Sequence, residues 1–529
     1  MNRRVFLKQA TLSTAGLTIL PGLSQDDEAP AYRQAGPLLM IDLPGEELDP
    51  ESRTFIRQHR IRAVTLFQRN IVDSEQTRRL VTQLRTEMGP QALIAIDQEG
   101  GSVMRTEDLP FAPSAMCLGA SNDPLLAFQV GAAVGRGLAS LGINWNFAPA
   151  LDVNSNPENP VIGDRSFGED PQLVTRLGLA WARGCQSAGV ATCVKHFPGH
   201  GDTHLDSHLD LPTVEKDRPV LEAVELYPFR QAVANQMPGF MTSHIVYPAF
   251  DGDHPATLSP LILHGLLRQA WQYDGVVITD SMKMKAIADR YGRGEAATQA
   301  LRAGADMVLA LGTPREQQAT LEAVERAVAD GLVSGSRYAH SLRRLLTLTA
   351  RFPNRVRPYH AAQRRADEAL MYQAWLRGLT PYRAPQPPPP GSRLIVVVAE
   401  GVRGQGPNAR GAAGLMMTDR LARRYDVTPV YYGHRRPLAC LDRFASIDRR
   451  DATVVFLSTT RQRPDDALKA LIQAIRPDLH VALWNPYTVL DVPAPALITY
   501  GFRPPALDAV AAWFEGTVEA RGIAPIRLG

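Results

Sequence analysis

The sequence predicts a (β/α)₈ barrel of the TIM kind followed by a second, smaller α/β sandwich domain. Three observations predict it. Short apolar runs alternate with segments of helical spacing about eight times before residue 350. Polar clusters follow several of those runs, at the strand ends where such barrels carry their chemistry. A proline-dense stretch, Pro385-Gln386-Pro387-Pro388-Pro389-Pro390-Gly391, then separates this array from a further set of strand-like runs.

Residues 1–24 read as an export signal. Arg3-Arg4-Val5-Phe6-Leu7-Lys8 precedes a mild apolar run broken by Ser, Thr and Gly, too short and too polar for a membrane span. The string resembles the twin-arginine address, which exports folded proteins, so a periplasmic or otherwise extracytoplasmic location is expected. The competing reading is an amphipathic helix of the mature fold. No Cys follows the apolar run, so a lipid anchor is not expected.

Residues 35–350 form the predicted barrel. Its strands are expected at 38–43, 63–67, 93–97, 143–147, 191–196, 240–245, 276–280 and 307–311, with helical spacing at 124–141, 171–189 and 294–303. Asp170-Pro171 marks a helix start, a capping acid before a proline at the first helical position. Residues 351–391 are expected to be a helical, then Pro-rich linker. The second domain, 392–529, is predicted from strand-like runs at 394–399, 454–458, 481–484 and 497–500.

Composition fits this reading. A chain of 529 residues favours two or more domains, and 45% apolar with 21% charged residues is ordinary for a globular protein. Arg3, Arg4 and Lys8 account for the whole formal charge of +3, and residues 1–24 hold no acid. The remainder is neutral, with no basic footprint for nucleic acid or an anionic membrane. Cys117, Cys185, Cys193 and Cys440 are scattered, which is no disulfide framework in a chain whose core needs no staples. Free thiols suit folding in a reducing compartment before export.

The segment richest in chemistry is Lys195-His196-Phe197-Pro198-Gly199-His200-Gly201-Asp202-Thr203-His204-Leu205-Asp206-Ser207-His208. Three readings compete for it. Alternating His and Asp are good metal ligands, but Pro198, Gly199 and Gly201 argue for a loop, and rigid elements suit ligand geometry better. His and Asp in a tight loop also hydrogen-bond the loop itself, the expectation for His200, Asp202 and His204. The third reading is an acid–base dyad, Asp206 orienting His208 and favouring its imidazolium.

The same run resembles the signature of glycoside hydrolase family 3, in its N-acetyl-β-glucosaminidase branch. Three more blocks are similar to that branch and come in its order: Ile96-Asp97-Gln98-Glu99-Gly100-Gly101, Gly163-Asp164-Arg165-Ser166-Phe167-Gly168-Glu169-Asp170, and Val277-Ile278-Thr279-Asp280-Ser281-Met282-Lys283-Met284. The likeness spans about residues 36–311. Trp484-Asn485-Pro486-Tyr487 is more weakly similar to the extra domain of two-domain members. One departure is plain: Ser102 stands where many members have Arg.

The resemblance implies that Asp280 is the nucleophile and His208 the general acid/base, with Asp206 its partner. It implies that Asp97, Arg105, Arg165, Lys195 and His196 hold the terminal sugar, with no metal and no organic cofactor. Elementary chemistry agrees. Glycoside cleavage needs a carboxylate on one face of the sugar and a proton donor at the leaving oxygen. Asp280 ends an apolar strand that holds it rigidly at the barrel mouth, although such an acid can also cap the next helix. A His titrates near neutrality without extreme burial, and a neighbouring Asp favours its charged form. Asp97 accepts from hydroxyls where Lys195, Arg105 and Arg165 donate, although each cation can instead form a surface ion pair. Glu99 and Glu169 are read as loop and cap residues.

The expected activity is an exo-acting, retaining β-N-acetylglucosaminidase taking terminal GlcNAc from muropeptides or chitin fragments. The alternatives are a β-glucosidase or β-xylosidase of the same family, which generally lack the Asp-Ser-His dyad, and a catalytically silent sugar-binding or wall-sensing protein. A twin-arginine oxidoreductase is disfavoured, because no Gly-x-Gly-x-x-Gly appears. The second domain is expected to widen recognition or add stability, and a chain ending near Arg383 to retain activity if it folds.

Overall fold

The computed structural model describes residues 34–207, 210–402 and 413–529. The expected export signal, residues 1–24, lies outside the described residues. Eight parallel strands close a barrel: β1 (Leu39–Asp42), β2 (Ala63–Leu66), β3 (Leu93–Ile96), β4 (Trp145–Asn146), β5 (Ala191–Phe197), β6 (Gly239–Thr242), β7 (Val276–Ser281) and β8 (Met307–Leu309). They neighbour one another in chain order. The ring closes where Leu39 of β1 pairs with Val308 and Met40 with Leu309. Each of the eight predicted runs overlaps one barrel strand. Strands covered on both faces read as continuous apolar runs: β3 is Leu-Ile-Ala-Ile and β7 opens Val-Val-Ile.

Local chemistry starts the helices between them. Pro50–Gln58, Pro124–Leu141 and Pro171–Ser187 each follow an aspartate, Asp49, Asp123 and Asp170, whose side chain accepts from the first-turn amides. Pro124–Leu141 has the length and hydropathy of a membrane span, but most of it is buried in the barrel's outer shell. Its backbone touches the helix Pro171–Ser187: a Cβ on Gly131 would meet the Trp181 carbonyl oxygen at 2.1 Å.

The second domain is a six-stranded sheet of β9 (Thr380–Tyr382), β10 (Arg393–Ala399), β11 (Asp426–Tyr432), β12 (Ala452–Ser458), β13 (Leu479–Ala482) and β14 (Ala496–Ile498), in the order β9-β14-β13-β12-β10-β11. All pair in parallel except β9, which runs antiparallel to β14. Strand β10 feeds two cores, Leu394, Val396 and Val398 on one face and Ile395, Val397 and Ala399 on the other. Period-2 alternation makes both faces apolar, so helices cover both.

The span 351–391 contains a helix, as expected, and packs against both domains. Its helix Ala361–Gly378 places Met371 and Ala374 in the barrel core and Trp375 in the second domain's core. Its next residues form β9, and the Pro388 carbonyl accepts from the Tyr425 hydroxyl at 2.9 Å. The barrel reciprocates, since Met116, Cys117 and Ala120 pack into the second domain's core. Ser114 Oγ donates to the Tyr500 carbonyl at 2.8 Å. All four cysteines are buried free thiols, and burial pushes Cys185 up to about 12.

Candidate active site

The C-terminal ends of the barrel strands open on a cavity of about 440 Å³ lined by Asp97, Arg105, Arg165, Lys195, His196 and Asp280. Lys195 lies on β5, whose seven residues are all buried, and is itself only 2% exposed. Its ammonium is 2.7 Å from Asp97 Oδ1 and 2.7 Å from Glu99 Oε1. Arg105 Nη2 donates to Asp97 Oδ2 at 3.0 Å. Arg165 grips Glu99 through two parallel bonds, from Nε at 2.9 Å and Nη2 at 2.8 Å. The wall is therefore a row of alternating charges, Arg105, Asp97, Lys195, Glu99 and Arg165. The turn that aims both carboxylates at one ammonium needs glycine. Gly100 has φ +110°, and a Cβ there would meet the Pro113 carbonyl oxygen at 2.2 Å.

Burial alone would raise both carboxyl pKa values. Lys195 and Arg105 outweigh it at Asp97 and hold that group well below the usual carboxylate range. Arg165 and Lys195 hold Glu99 down to about 2. Burial would lower the Lys195 pKa, and the two carboxylates raise it instead. Charge-assisted donors beside ionised acceptors suit sugar hydroxyls, which need one of each.

His196 is oriented from behind. Its Nδ1 lies 2.7 Å from Asp152 Oδ2, while Asp152 Oδ1 accepts from the backbone amides of His196 at 3.0 Å and His200 at 2.7 Å. That carboxylate assigns the proton to Nδ1 and leaves Nε2 to face Arg165 Nη2 at 3.3 Å. Against burial, His196 holds Asp152 down to about 2.

Asp280 sits at the mouth end of β7, and its Oδ1 accepts from the Ser281 amide at 2.7 Å. The following helix, Lys285–Tyr291, has Met284 at its N-cap, so Asp280 is not a helix cap. His244 does not line the cavity. It is buried behind Ser281, with its ring nitrogens 2.8 Å from Thr257 Oγ1 and 3.0 Å from the Ser281 carbonyl.

The loop after β5 carries the expected dyad. Asp206 is buried, whereas His208 lies outside the described residues. The rest of the loop is structural. His200 meets Thr203 Oγ1 at 2.9 Å and Ser207 Oγ at 2.8 Å, and burial lowers its pKa to about 4. Asp202 pairs with Lys216 at 3.0 Å, and His204 Nδ1 accepts from Asn156 at 3.0 Å. Among the described residues, no three His, Cys, Asp or Glu side chains are grouped as a metal site requires.

Three side chains of the cavity and its support fall outside the expected set. Glu99 lies on the loop after β3, as expected, and is in addition the second carboxylate of the cavity wall. Its signal was an unmatched acid in the same block as Asp97. Glu169 is no cap but joins the domains through Arg527 Nε at 2.9 Å. Asp152, an acid inside the apolar run Ala150-Leu151-Asp152-Val153, is the buried partner of His196. Arg461, from the turn after β12, brings a guanidinium of the second domain to the cavity. Ser102, the departure noted above, donates to Asp164 Oδ2 at 2.9 Å.

Known proteins share this architecture. Residues 33–348 match the model of the glycosyl hydrolase family 3 N-terminal domain. The β-hexosaminidase A of Pseudoalteromonas piscicida is 40% identical over 284 residues, which cover 50% of this chain and 48% of that protein. The β-hexosaminidase of Alkalilimnicola ehrlichii is 38% identical over 294 residues, 54% of this chain and 83% of that one. A solved glycoside hydrolase family 3 β-N-acetylglucosaminidase from Paenibacillus sp. superposes with a TM-score of 0.86 at 33% identity, over 96% of this chain and 99% of that one.

Proposed function

The chain belongs to glycosyl hydrolase family 3, and from that membership we propose that it is an exo-acting, retaining β-N-acetylglucosaminidase. Its substrates in this reading are muropeptides or chitin fragments ending in β-GlcNAc. The observation that carries the reading is the likeness to the Paenibacillus β-N-acetylglucosaminidase across both domains. The cavity chemistry supports it: a strand-held carboxylate stands in the same pocket as a row of alternating hydrogen-bonding charges.

Asp280 attacks the anomeric carbon and forms a glycosyl-aspartate ester as the glycosidic bond breaks. His208, its imidazolium favoured by Asp206, delivers the proton to the leaving oxygen. Neutral His208 then takes a proton from the water that hydrolyses the ester. Asp97, Glu99, Arg105, Arg165, Lys195 and His196 hold the terminal sugar, and no metal or organic cofactor takes part. The Arg3-Arg4 string supports an exported, extracytoplasmic enzyme.

A panel of nitrophenyl β-glycosides with and without the N-acetyl group tests the assignment. Clear preference for β-GlcNAc over β-glucose and β-xylose is expected. Equal or better turnover of the glucoside would overturn it, and a folded protein that cleaves none of them would be a sugar-binding protein.

A further inference from the structure

The cavity holds two kinds of cation. Arg105, Lys195 and Arg165 are matched to Asp97 and Glu99, so the wall they form offers donors and acceptors together. Arg461 is different. Among the described residues no carboxylate is paired with it, and its buried Nε has no acceptor. It is nonetheless firmly held. Its Nη2 donates to the Val161 carbonyl, which also accepts from Arg165 Nη1 at 3.2 Å. Its guanidinium lies 5.7 Å from the Trp484 ring centroid, and its carbonyl accepts from Asn485 Nδ2 at 2.7 Å. Asp164, Asp206 and Glu99 act on it only through their fields, against burial that lowers its pKa. Lys283 also lines the cavity without an ion pair among the described residues, but it is exposed at the rim.

A guanidinium donates and never accepts, whereas a hydroxyl both donates and accepts. The alternating wall therefore suits hydroxyls, and a fixed guanidinium without a carboxylate suits an oxygen that only accepts. A terminal GlcNAc carries one such strong acceptor, the acetamido carbonyl, which glucose lacks. We propose that Arg461 of the second domain is a specificity-determining residue that donates to this carbonyl. The proposal rests on the function proposed above. It makes the choice of sugar a property of the joint between the domains.

The test is the ratio of kcat/KM for nitrophenyl β-GlcNAc to that for nitrophenyl β-glucoside, in the full chain and in Arg461→Met and Arg461→Lys. A buried charge-assisted hydrogen bond predicts that Arg461→Met lowers the ratio about 10- to 100-fold. Arg461→Lys, which keeps the charge and a donor, recovers part of it. An equal fall for both glycosides would make Arg461 a prop for the Val161–Arg165 loop and overturn the proposal, as would an unchanged ratio. A loss seen only when the leaving group bears a carboxylate would move the contact to the aglycone and also overturn it. If Arg461→Met fails to fold, the ratio in Arg461→Lys decides alone: an unchanged ratio there refutes the proposal and a lowered one supports it. A parent protein without preference for β-GlcNAc would instead refute the function reading, so the two failures are distinct.

Discussion

Replacing Lys195 by Met removes the central cation of the cavity wall while keeping its volume. Two oxygen contacts of 2.7 Å are lost. At an effective dielectric of about 20, each is worth about 6 kcal/mol in gross attraction. Desolvation of the ammonium offsets much of that, and Asp97 keeps Arg105 while Glu99 keeps Arg165. A net loss of about 3 kcal/mol is expected, the low end for breaking a buried pair. The sign with pH follows from the depressed carboxyl values. Glu99 contributes stability above its unfolded pKa of about 4.3, lost as pH falls through the folded value of about 2. Without Lys195 both carboxyl pKa values rise, so the variant should acid-unfold at a higher pH. Its KM should climb on acidification where that of the parent stays flat, because protonated Asp97 accepts less well. Urea titrations near neutral pH, melts on acidification and KM profiles read these effects. Parental stability together with a parental acid midpoint would show that the ammonium does not hold the two carboxylates down.

Further outcomes concern the chemistry, the support behind it and the address. Asp280→Ala should be nearly inactive on disaccharides and dinitrophenyl glycosides alike, because without the nucleophile no covalent intermediate forms. His208→Ala should lose about 10²- to 10⁴-fold on disaccharides yet give a phenolate burst from a dinitrophenyl glycoside. Equal damage to both substrates would make His208 a sugar-binding group. Asp152→Asn keeps the shape but removes the anion that orients His196, so a loss of about 2 kcal/mol in urea and a raised KM are expected. A change within about 0.5 kcal/mol would contradict that support. Arg3-Arg4 replaced by Lys-Lys should stay cytoplasmic on fractionation, and unchanged export would refute the twin-arginine reading.

The barrel was legible because parallel strands covered on both faces leave continuous apolar runs, and because capping acids precede prolines at helix starts. The second sheet was legible only in its middle. Strands β10, β12, β13 and β14 read as apolar runs, while Asp426–Tyr432 and Thr380–Tyr382 did not. Both missed strands carry a proline, Pro429 and Pro381, and both lie on an edge of the sheet. An edge strand has one side free of ladder bonds, so it tolerates proline and polar residues that would break a central strand. The features that make an edge viable are those that hide it from a search for apolar runs.

At the site, the difference lies between contacts made within a block and contacts made across the fold. Asp97, Arg105, Arg165, Lys195 and His196 were named from the family resemblance, and all five line one cavity with Asp280. The partner of His196 is Asp152, 44 residues earlier, and a lone acid in an apolar run does not announce whom it serves. Arg461 reaches the Val161 carbonyl from 300 residues away, where no spacing or periodicity connects them. The same distance explains why a chain ending near Arg383 is a poor test of the second domain. It would strip Met116, Cys117, Ala120 and Trp375 of their shared core and part β9 from β14. Loss of activity would then report exposed apolar surface and an unpaired strand rather than a missing group in the cavity. A single-residue change at Arg461 leaves that core covered, so only the point substitution separates recognition from architecture.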